Sequence, residues 1–306
     1  MKILVTGGAG FIASQISDAY LREGHEVYIL DNLSTGFLKN VNPSAHFIKA
    51  DISSPSLLDL FEKVKFDVVN HHAAQIDVRK SVNDPVFDAN TNILGTINLL
   101  QACIKTGVKK FMFASTGGAV YGEQEYFPAD EKHPTNPVSP YGITKLSIEK
   151  YLYFYKNEYG LKYTILRYAN VYGPRQNPFG EAGVVAIFTN KLLRKENPII
   201  NGDGKQTRDY VFVEDVVKAN VTTLTDDSSE MYNVGTGTET SVNDLFTKLN
   251  HIAGNKAEEK HGPAPKGEQA RSVISSEKLY NTFNWKPSVT IDEGLRKTFE
   301  FFKSNI

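Results

Sequence analysis

Tyr141 and Lys145 stand four residues apart in "PYGITK", which puts a phenol and an ammonium on the same side of the chain if the segment is helical. An ammonium beside a phenol favours the phenolate and draws its pKa down from about 10. Tyr141 would then serve as acid/base for an alcohol becoming a ketone. Such spacings are commonly accidental, so the rest of the chain must decide. Ser115 and Thr116 close the apolar run "KFMFAST", and hydroxyls at the end of a strand could bridge to the same substrate hydroxyl. Near the start, "GGAGFIA" sets Gly7 and Gly10 ahead of Phe11 and Ile12. A Gly-x-x-Gly turn lets backbone N–H groups approach a pyrophosphate at a helix N-terminus.

The elements that must position these residues are legible as an alternation. Short β-branched runs alternate with longer amphipathic stretches, the pattern of parallel α/β architecture. Strands are expected at Lys2 to Thr6, Glu26 to Leu30, His46 to Lys49 and Asp67 to Asn70, then at "VKKFMFAS" and "KYTILRYAN". Helices are expected at Ile12 to Glu23, Asn90 to Thr106 with Gly107 as stop, and Tyr141 to Tyr159. Ser139 is the expected N-cap of the last, Pro140 its first residue and Gly160 its end. Beyond Val171 the chain is punctuated by Gly, Pro and Asn, with helices expected at Val184 to Lys195, Val242 to Ala253 and Ile291 to Lys303. The stretch "AGNKAEEKHGPAPKGEQA" reads as an exposed loop.

Composition narrows the function classes. The 306 residues suffice for a large core and two domains, and 34 Lys plus Arg against 35 Asp plus Glu leave a formal charge of -1. Without a basic stripe, nucleic-acid binding has no electrostatic support, and an anionic ligand must be held by local groups. The single Cys103 excludes an intrachain disulfide and a cysteine-cluster metal site. No apolar run approaches a membrane span, and "MKILVTGG" reads as a strand rather than a leader, so a cytoplasmic location with no membrane partner is expected.

Asp31, at the end of the second expected strand, can accept hydrogen bonds from both ribose hydroxyls of a dinucleotide. It would repel an added 2′-phosphate, which favours NAD over NADP. Asp51 ends the third strand and could meet adenine, while Ala73 and Ala74 follow the fourth as a flat wall. His71 and His72 have no third ligand at metal spacing, so no metal is expected.

Taken together, "TGGAGFIAS", "DNLSTG", "HHAAQ", "STGGAVYG", "PYGITK", "LRYANVYGPRQ", "GDGKQTRDYVFVEDV" and "NVGTG" resemble, in order and spacing, the NAD-dependent sugar-nucleotide epimerases of the extended short-chain dehydrogenase/reductase superfamily, typified by the UDP-glucose 4-epimerases. The resemblance covers essentially the whole chain. It implies a Rossmann-type parallel sheet with helices on both faces and a smaller, interleaved C-terminal lobe. The NAD-binding domain would span 1–170, with 208–240 returning to it, and 171–306 would mainly bind the sugar nucleotide. It further implies that Asp31 and Asn32, with Ser34 and Gly36 in "DNLSTG", hold the adenosine side of NAD. Asp51 and Ile52 would meet adenine, and Ala73, Ala74, Asn90, Lys145 and Tyr168 would complete the cofactor site. Ser115, Tyr141 and Lys145 would be catalytic and Thr116 a substrate contact. The implied reaction is a hydride round trip through a transient 4-keto sugar, with Tyr141 handling the proton and a homodimer as the assembly.

Relatives that eliminate water carry Asp-Glu after the Thr; this chain has Gly117 and Gly118, which favours epimerisation. On the substrate side the resemblance assigns Asn170 and Arg208 to the UDP-sugar, a guanidinium being suited to bidentate phosphate binding. Where many relatives have Arg-Pro-Gly-Glu this chain has "PKGE", so Lys266 or Arg271 would supply the diphosphate charge. Ser272 falls at the position beside the sugar, where a small residue leaves room for an N-acetyl group. UDP-glucose and UDP-galactose are the expected substrates, with UDP-glucuronate and UDP-N-acetylhexosamines as enzyme alternatives. A catalytically silent nucleotide-binding scaffold is the alternative of another class, disfavoured because Ser115, Tyr141 and Lys145 are all present.

Overall fold

Four residues of Lys2–Thr6 are buried, because this strand is covered on both faces. A computed structural model of the chain describes residues 1–179, 183–264 and 269–305. Its first half contains β1 (Lys2–Thr6), α1 (Phe11–Arg22), β2 (Glu26–Asp31), β3 (His46–Lys49), α2 (Leu57–Val64), β4 (Val68–His71), α3 (Val78–Asn83), α4 (Pro85–Ala89), α5 (Gly95–Thr106), β5 (Lys110–Thr116), α6 (Pro140–Tyr159) and β6 (Lys162–Tyr168). Then follow β7 (Asn170–Tyr172), α7 (Val184–Leu193), β8 (Ile199–Asn201), β9 (Thr207–Phe212), α8 (Val213–Thr222), β10 (Glu230–Val234), β11 (Glu239–Ser241), α9 (Val242–Ile252), β12 (Lys260–Gly262), β13 (Arg271–Ser272), α10 (Glu277–Phe283) and α11 (Ile291–Lys303).

The large sheet is parallel throughout, in the order β10-β6-β5-β4-β1-β2-β3. Its order reverses between β1 and β4, where Thr6 lies in register with His71. In open α/β sheets a ligand binds in the crevice outside the carboxyl ends at this reversal. The Rossmann-type sheet with helices and a smaller C-terminal lobe is therefore present.

The α6 helix is fastened in two ways. Ile148, Leu152 and Tyr155 bury against Phe111, Phe113 and Ile165 of the sheet, each worth roughly 1.5–3 kcal/mol relative to exposure. Ser139 accepts the Gly142 N–H at 3.2 Å as N-cap, and Gly160 closes the helix at φ 74°. A cap is worth about 1 kcal/mol, so packing sets which face Tyr141 and Lys145 present and the cap sets where the helix begins.

The smaller lobe contains the sheet β11-β9-β13 with β7 on β9, and the pair β12-β8. Residues 208–240 divide between layers: β9 lies in the small sheet, α8 packs on α1, and β10 joins the edge of the large sheet beside β6. The helix expected from Asn90 starts earlier, at Pro85, and carries a wide π-type turn over Asn90–Leu94. The expected loop after Ala253 contains β12, which forms only because β8 pairs with it from a distant part of the chain. Lys266 lies outside the described residues. Among the described residues no helix is long and apolar enough to cross a membrane.

Candidate active site

The half-buried Tyr141 opens α6 and Lys145 lies one turn on. The Tyr141 N–H donates to Ser81 Oγ at 3.2 Å, which satisfies a first-turn amide that has no partner within the helix. Lys145 donates to the Ala114 carbonyl at 2.8 Å, and its Nζ lies 4.8 Å from the Phe113 ring centroid and 5.8 Å from that of Tyr141. This corrects the expected electrostatics. Burial, reinforced by the negative charge of Asp88, pushes the Tyr141 phenol above its ordinary value. Burial pulls Lys145 down to about 8, against the upward pull of Asp88 and Glu149. Low dielectric outweighs the attraction of an amine that is turned toward a backbone carbonyl.

Ser115 is buried, and its hydroxyl donates to Glu149 Oε1 at 2.6 Å. Glu149 also holds Arg167 through Nε at 2.9 Å and Nη2 at 2.5 Å, and Arg167 Nη1 donates to the Tyr121 hydroxyl at 3.0 Å. The Ser115 hydroxyl thus donates into a buried ion-pair network. Thr116, next along, is only partly buried. A Cβ added to Gly118 would lie 3.8 Å from Thr116 Oγ1 and 3.7 Å from Asn170 Oδ1, so these two polar groups flank the open space at Gly118. Gly117 answers to packing instead, since a Cβ there would come within 2.7 Å of Ile274 Cδ1.

Gly7, Gly10, Asp31, Asn32 and Asp51 follow or end strands at the carboxyl edge of the sheet, around its order reversal. Gly7 has φ +69°, and a Cβ on it would lie 2.7 Å from the Ala73 nitrogen, so only glycine lets the turn approach the Ala73 wall this closely. Gly10 precedes α1 with no side-chain cap, which leaves the N–H groups of Phe11 and Ile12 for an anion. Asp31 accepts the Ala9 N–H at 3.0 Å and the Leu33 N–H at 2.7 Å; a Cβ on Gly36 would lie 3.1 Å from its Oδ1. Asn32 donates to Asp51 at 2.7 Å and accepts the Ser34 N–H at 2.9 Å. Partial burial works upward on the Asp51 carboxyl, but hydrogen bonds from Ser53 and Asn32 hold it below the usual carboxylate range. Thr6 Oγ1 accepts the N–H groups of His72 and Ala73, each at 3.2 Å, and so pins the loop after β4.

Ile52, Asn90 and Tyr168, also expected on the cofactor side, are held as follows by their neighbours. The Ile52 side chain packs into the core, and its carbonyl accepts from Asn98 at 2.8 Å. Asn90 is exposed, whereas Asn92, two residues on, is buried and brackets Gln75 by accepting its N–H at 2.8 Å and donating to its carbonyl at 2.9 Å. The wide turn rotates Asn92, not Asn90, toward the loop that follows Ala73 and Ala74. The Tyr168 hydroxyl accepts from Asn220 at 2.8 Å and lies 3.1 Å from His72 Nε2. Burial, with a smaller contribution from Lys145, lowers His72 to about 3, so it is neutral at neutral pH. Its Nδ1 is buried without a partner among the described residues. His71 is held by Thr6 at 2.7 Å and Thr96 at 2.8 Å.

On the substrate side, β13 runs parallel to β9 with Ser272 in register with Arg208. Asp209, buried beside Arg208, accepts the N–H groups of Thr236 and Gly237 and so folds the "NVGTG" segment against β9. Arg271 is committed elsewhere: its guanidinium makes a two-pronged pair with Glu239, at 2.9 and 2.7 Å, and lies 3.8 Å from the Phe127 ring centroid.

A crevice of this shape with a Tyr-x-x-x-Lys helix at its edge suits reversible hydride chemistry at a carbon bearing a hydroxyl, which is the class of nicotinamide-dependent short-chain dehydrogenases and reductases. The sequence model of the NAD dependent epimerase/dehydratase family matches residues 3–235, and the chain belongs to that family. A UDP-glucose 4-epimerase from Thermotoga maritima, solved with UDP-glucose, shares 48% identity, covers 100% of this chain and 99% of its own, and superposes with a TM-score of 0.98. A UDP-glucose 4-epimerase from Thermus thermophilus, solved with NAD, shares 42% identity over 100% of both chains with a TM-score of 0.95. A UDP-glucuronate 4-epimerase from Thermodesulfobacterium geofontis is 34% identical over 99% of this chain and 96% of its own. The cofactor is NAD, and the crevice fits it: the glycine cradle, the uncapped α1 terminus and Asp31 are the groups that would hold its pyrophosphate and ribose.

Proposed function

We propose that this chain is a 4-epimerase of UDP-hexoses, acting on UDP-glucose and UDP-galactose and extending to their N-acetyl forms. The observation that carries the reading is the pair Gly117 and Gly118 directly beyond Thr116, where elimination chemistry needs a second acid and base. When bound, NAD supplies a hydride acceptor whose oxidised ring carries the positive charge that favours a phenolate. Tyr141 takes the proton of the sugar 4-hydroxyl and returns one after the ring has turned over. Lys145, as an ammonium, stabilises the phenolate and can reach ribose hydroxyls. With Ser115 committed to Glu149, the hydroxyl that steadies the reacting oxygen is assigned to Thr116. Arg208 takes a phosphate oxygen, Asn170 a sugar-nucleotide contact, and the small Ser272 leaves room for an N-acetyl group.

The test is incubation of the purified protein with UDP-galactose, UDP-N-acetylgalactosamine and UDP-galacturonate, with separation of the products. Interconversion with the gluco epimers and no net NADH is expected. Release of a 4-keto-6-deoxy sugar nucleotide, or no turnover of any of them, would sink the reading.

The assembly we propose is a homodimer built on α5 and α6. Ile143, Tyr151 and Phe154 recur along one side of α6 and are exposed, as is Leu94 before α5. A second copy presenting the same face would cover them.

A further inference from the structure

Asp88, in α4, is fully buried, and among the described residues its carboxylate accepts from neutral side chains. Oδ1 accepts from Gln75 Nε2 at 2.9 Å and from Asn92 Nδ2 at 3.1 Å, while Oδ2 accepts from Thr144 Oγ1 at 2.9 Å. Thr144 lies between Tyr141 and Lys145, and its hydroxyl is shared with the Tyr141 carbonyl at 2.9 Å. Gln75 directly follows the Ala73–Ala74 wall and is itself bracketed by Asn92. One carboxylate therefore ties the cofactor-side loop to the helix that carries the acid/base. A carboxylate buried among neutral donors is costly unless a positive charge nearby offsets it.

We propose that Asp88 is a positioning residue for the Tyr141–Lys145 pair, clamping α6 to the Gln75 loop and keeping Lys145 in its ammonium form. The inference rests on the epimerase reading, in which Lys145 must be charged while Tyr141 gives up its proton.

The other charged groups near the pair do not take this place. Glu149, on α6 itself, is neutralised by Arg167 of β6 at 2.5 Å. His71 and His72 at the end of β4 are held neutral by burial. Arg79 and Lys80 on α3 and Lys105 on α5 are exposed, and Lys110 of β5 donates to the carbonyls of Thr223 and Asp226. The sign follows from charge. Without Asp88, burial acts on Lys145 with less opposition and the ammonium is lost at lower pH. The phenol, no longer facing a negative charge, also ionises at lower pH.

The test compares pH–rate profiles of the wild type, Asp88→Asn, Asp88→Glu and Thr144→Val. For Asp88→Asn the alkaline limb should fall by about one pH unit, with kcat reduced more than KM is changed. Thr144→Val keeps the carboxylate, so its kcat should drop while the limb stays in place, and Asp88→Glu should also keep the limb. An NMR titration of isotope-labelled lysine side chains, with Lys145 assigned through Lys145→Arg, should show the same downward displacement in Asp88→Asn without any substrate. A limb and a Lys145 titration that coincide with wild type in Asp88→Asn overturn the proposal. If Asp88→Asn does not fold, a displaced limb in Asp88→Glu overturns it instead. Wild-type inactivity on every UDP-sugar would count against the epimerase reading, whereas the lysine titration judges Asp88 independently.

Discussion

Tyr141 works from a disadvantage that its spacing to Lys145 does not reveal. In water the neighbouring ammonium would make the phenol more acidic; here burial works against both charges, raising the phenol and lowering Lys145 to about 8. A lysine lowered in this way carries its charge well below pH 8 and loses it as pH rises through that value. Epimerase kcat should therefore decline on the alkaline side from about pH 8, as a pH–rate profile would show. Tyr141→Phe should lower kcat by roughly 10²–10⁴-fold while leaving the bound NAD content unchanged. A variant as fast as wild type would remove Tyr141 from the chemistry. The pairing was visible in the sequence because i, i+4 neighbours share a helix face. The direction of the shifts was not, because it depends on how much water the fold removes.

Elements impose demands of a different kind, and Gly7 shows how narrow they are. The turn between β1 and α1 needs φ +69° and brings the backbone within reach of Ala73, where a Cβ would lie 2.7 Å from the nitrogen. Gly7→Ala should cost about 1–3 kcal/mol, read as a lower thermal midpoint, and purified protein should carry less NAD by its absorbance ratio. Unchanged cofactor content would mean that the pyrophosphate does not use this turn. The glycine was readable from its strand-turn-helix context. Asn92 was not, because a wide turn inside residues 85–106 rotates the side chains beyond the regular helical period. The surroundings of Ser115 were hidden for a related reason: two adjacent hydroxyls at a strand end point to opposite faces, and only the packed neighbours show that Ser115 donates to Glu149.

At the scale of the molecule, the large sheet carries the order reversal between β1 and β4, and the small lobe sets Ser272 in register with Arg208. Joining the lobes is Ile274, which packs where any side chain on Gly117 or Gly235 would intrude. The exposed apolar side chains of Ile143, Tyr151 and Phe154 on α6, with Leu94 before α5, are what the proposed second copy would cover. Leu94→Glu with Phe154→Glu should convert a dimer to a monomer in sedimentation velocity, since both side chains are about half exposed, at 58% and 48%. A wild type that sediments as a monomer would rule the dimer out.

The alternation of strands and helices in the first half, the glycine cradle and the Tyr-x-x-x-Lys helix were determined by local sequence, because each depends on periodicity, capping or backbone freedom within a few residues. Tertiary structure alone decided that Ser115 donates to Glu149, that Arg271 pairs with Glu239, and that Asp88 sits buried against α6. Those outcomes turn on partners 32 to 56 residues away in the chain. Long-range pairing and the water it excludes leave no periodic trace in a sequence.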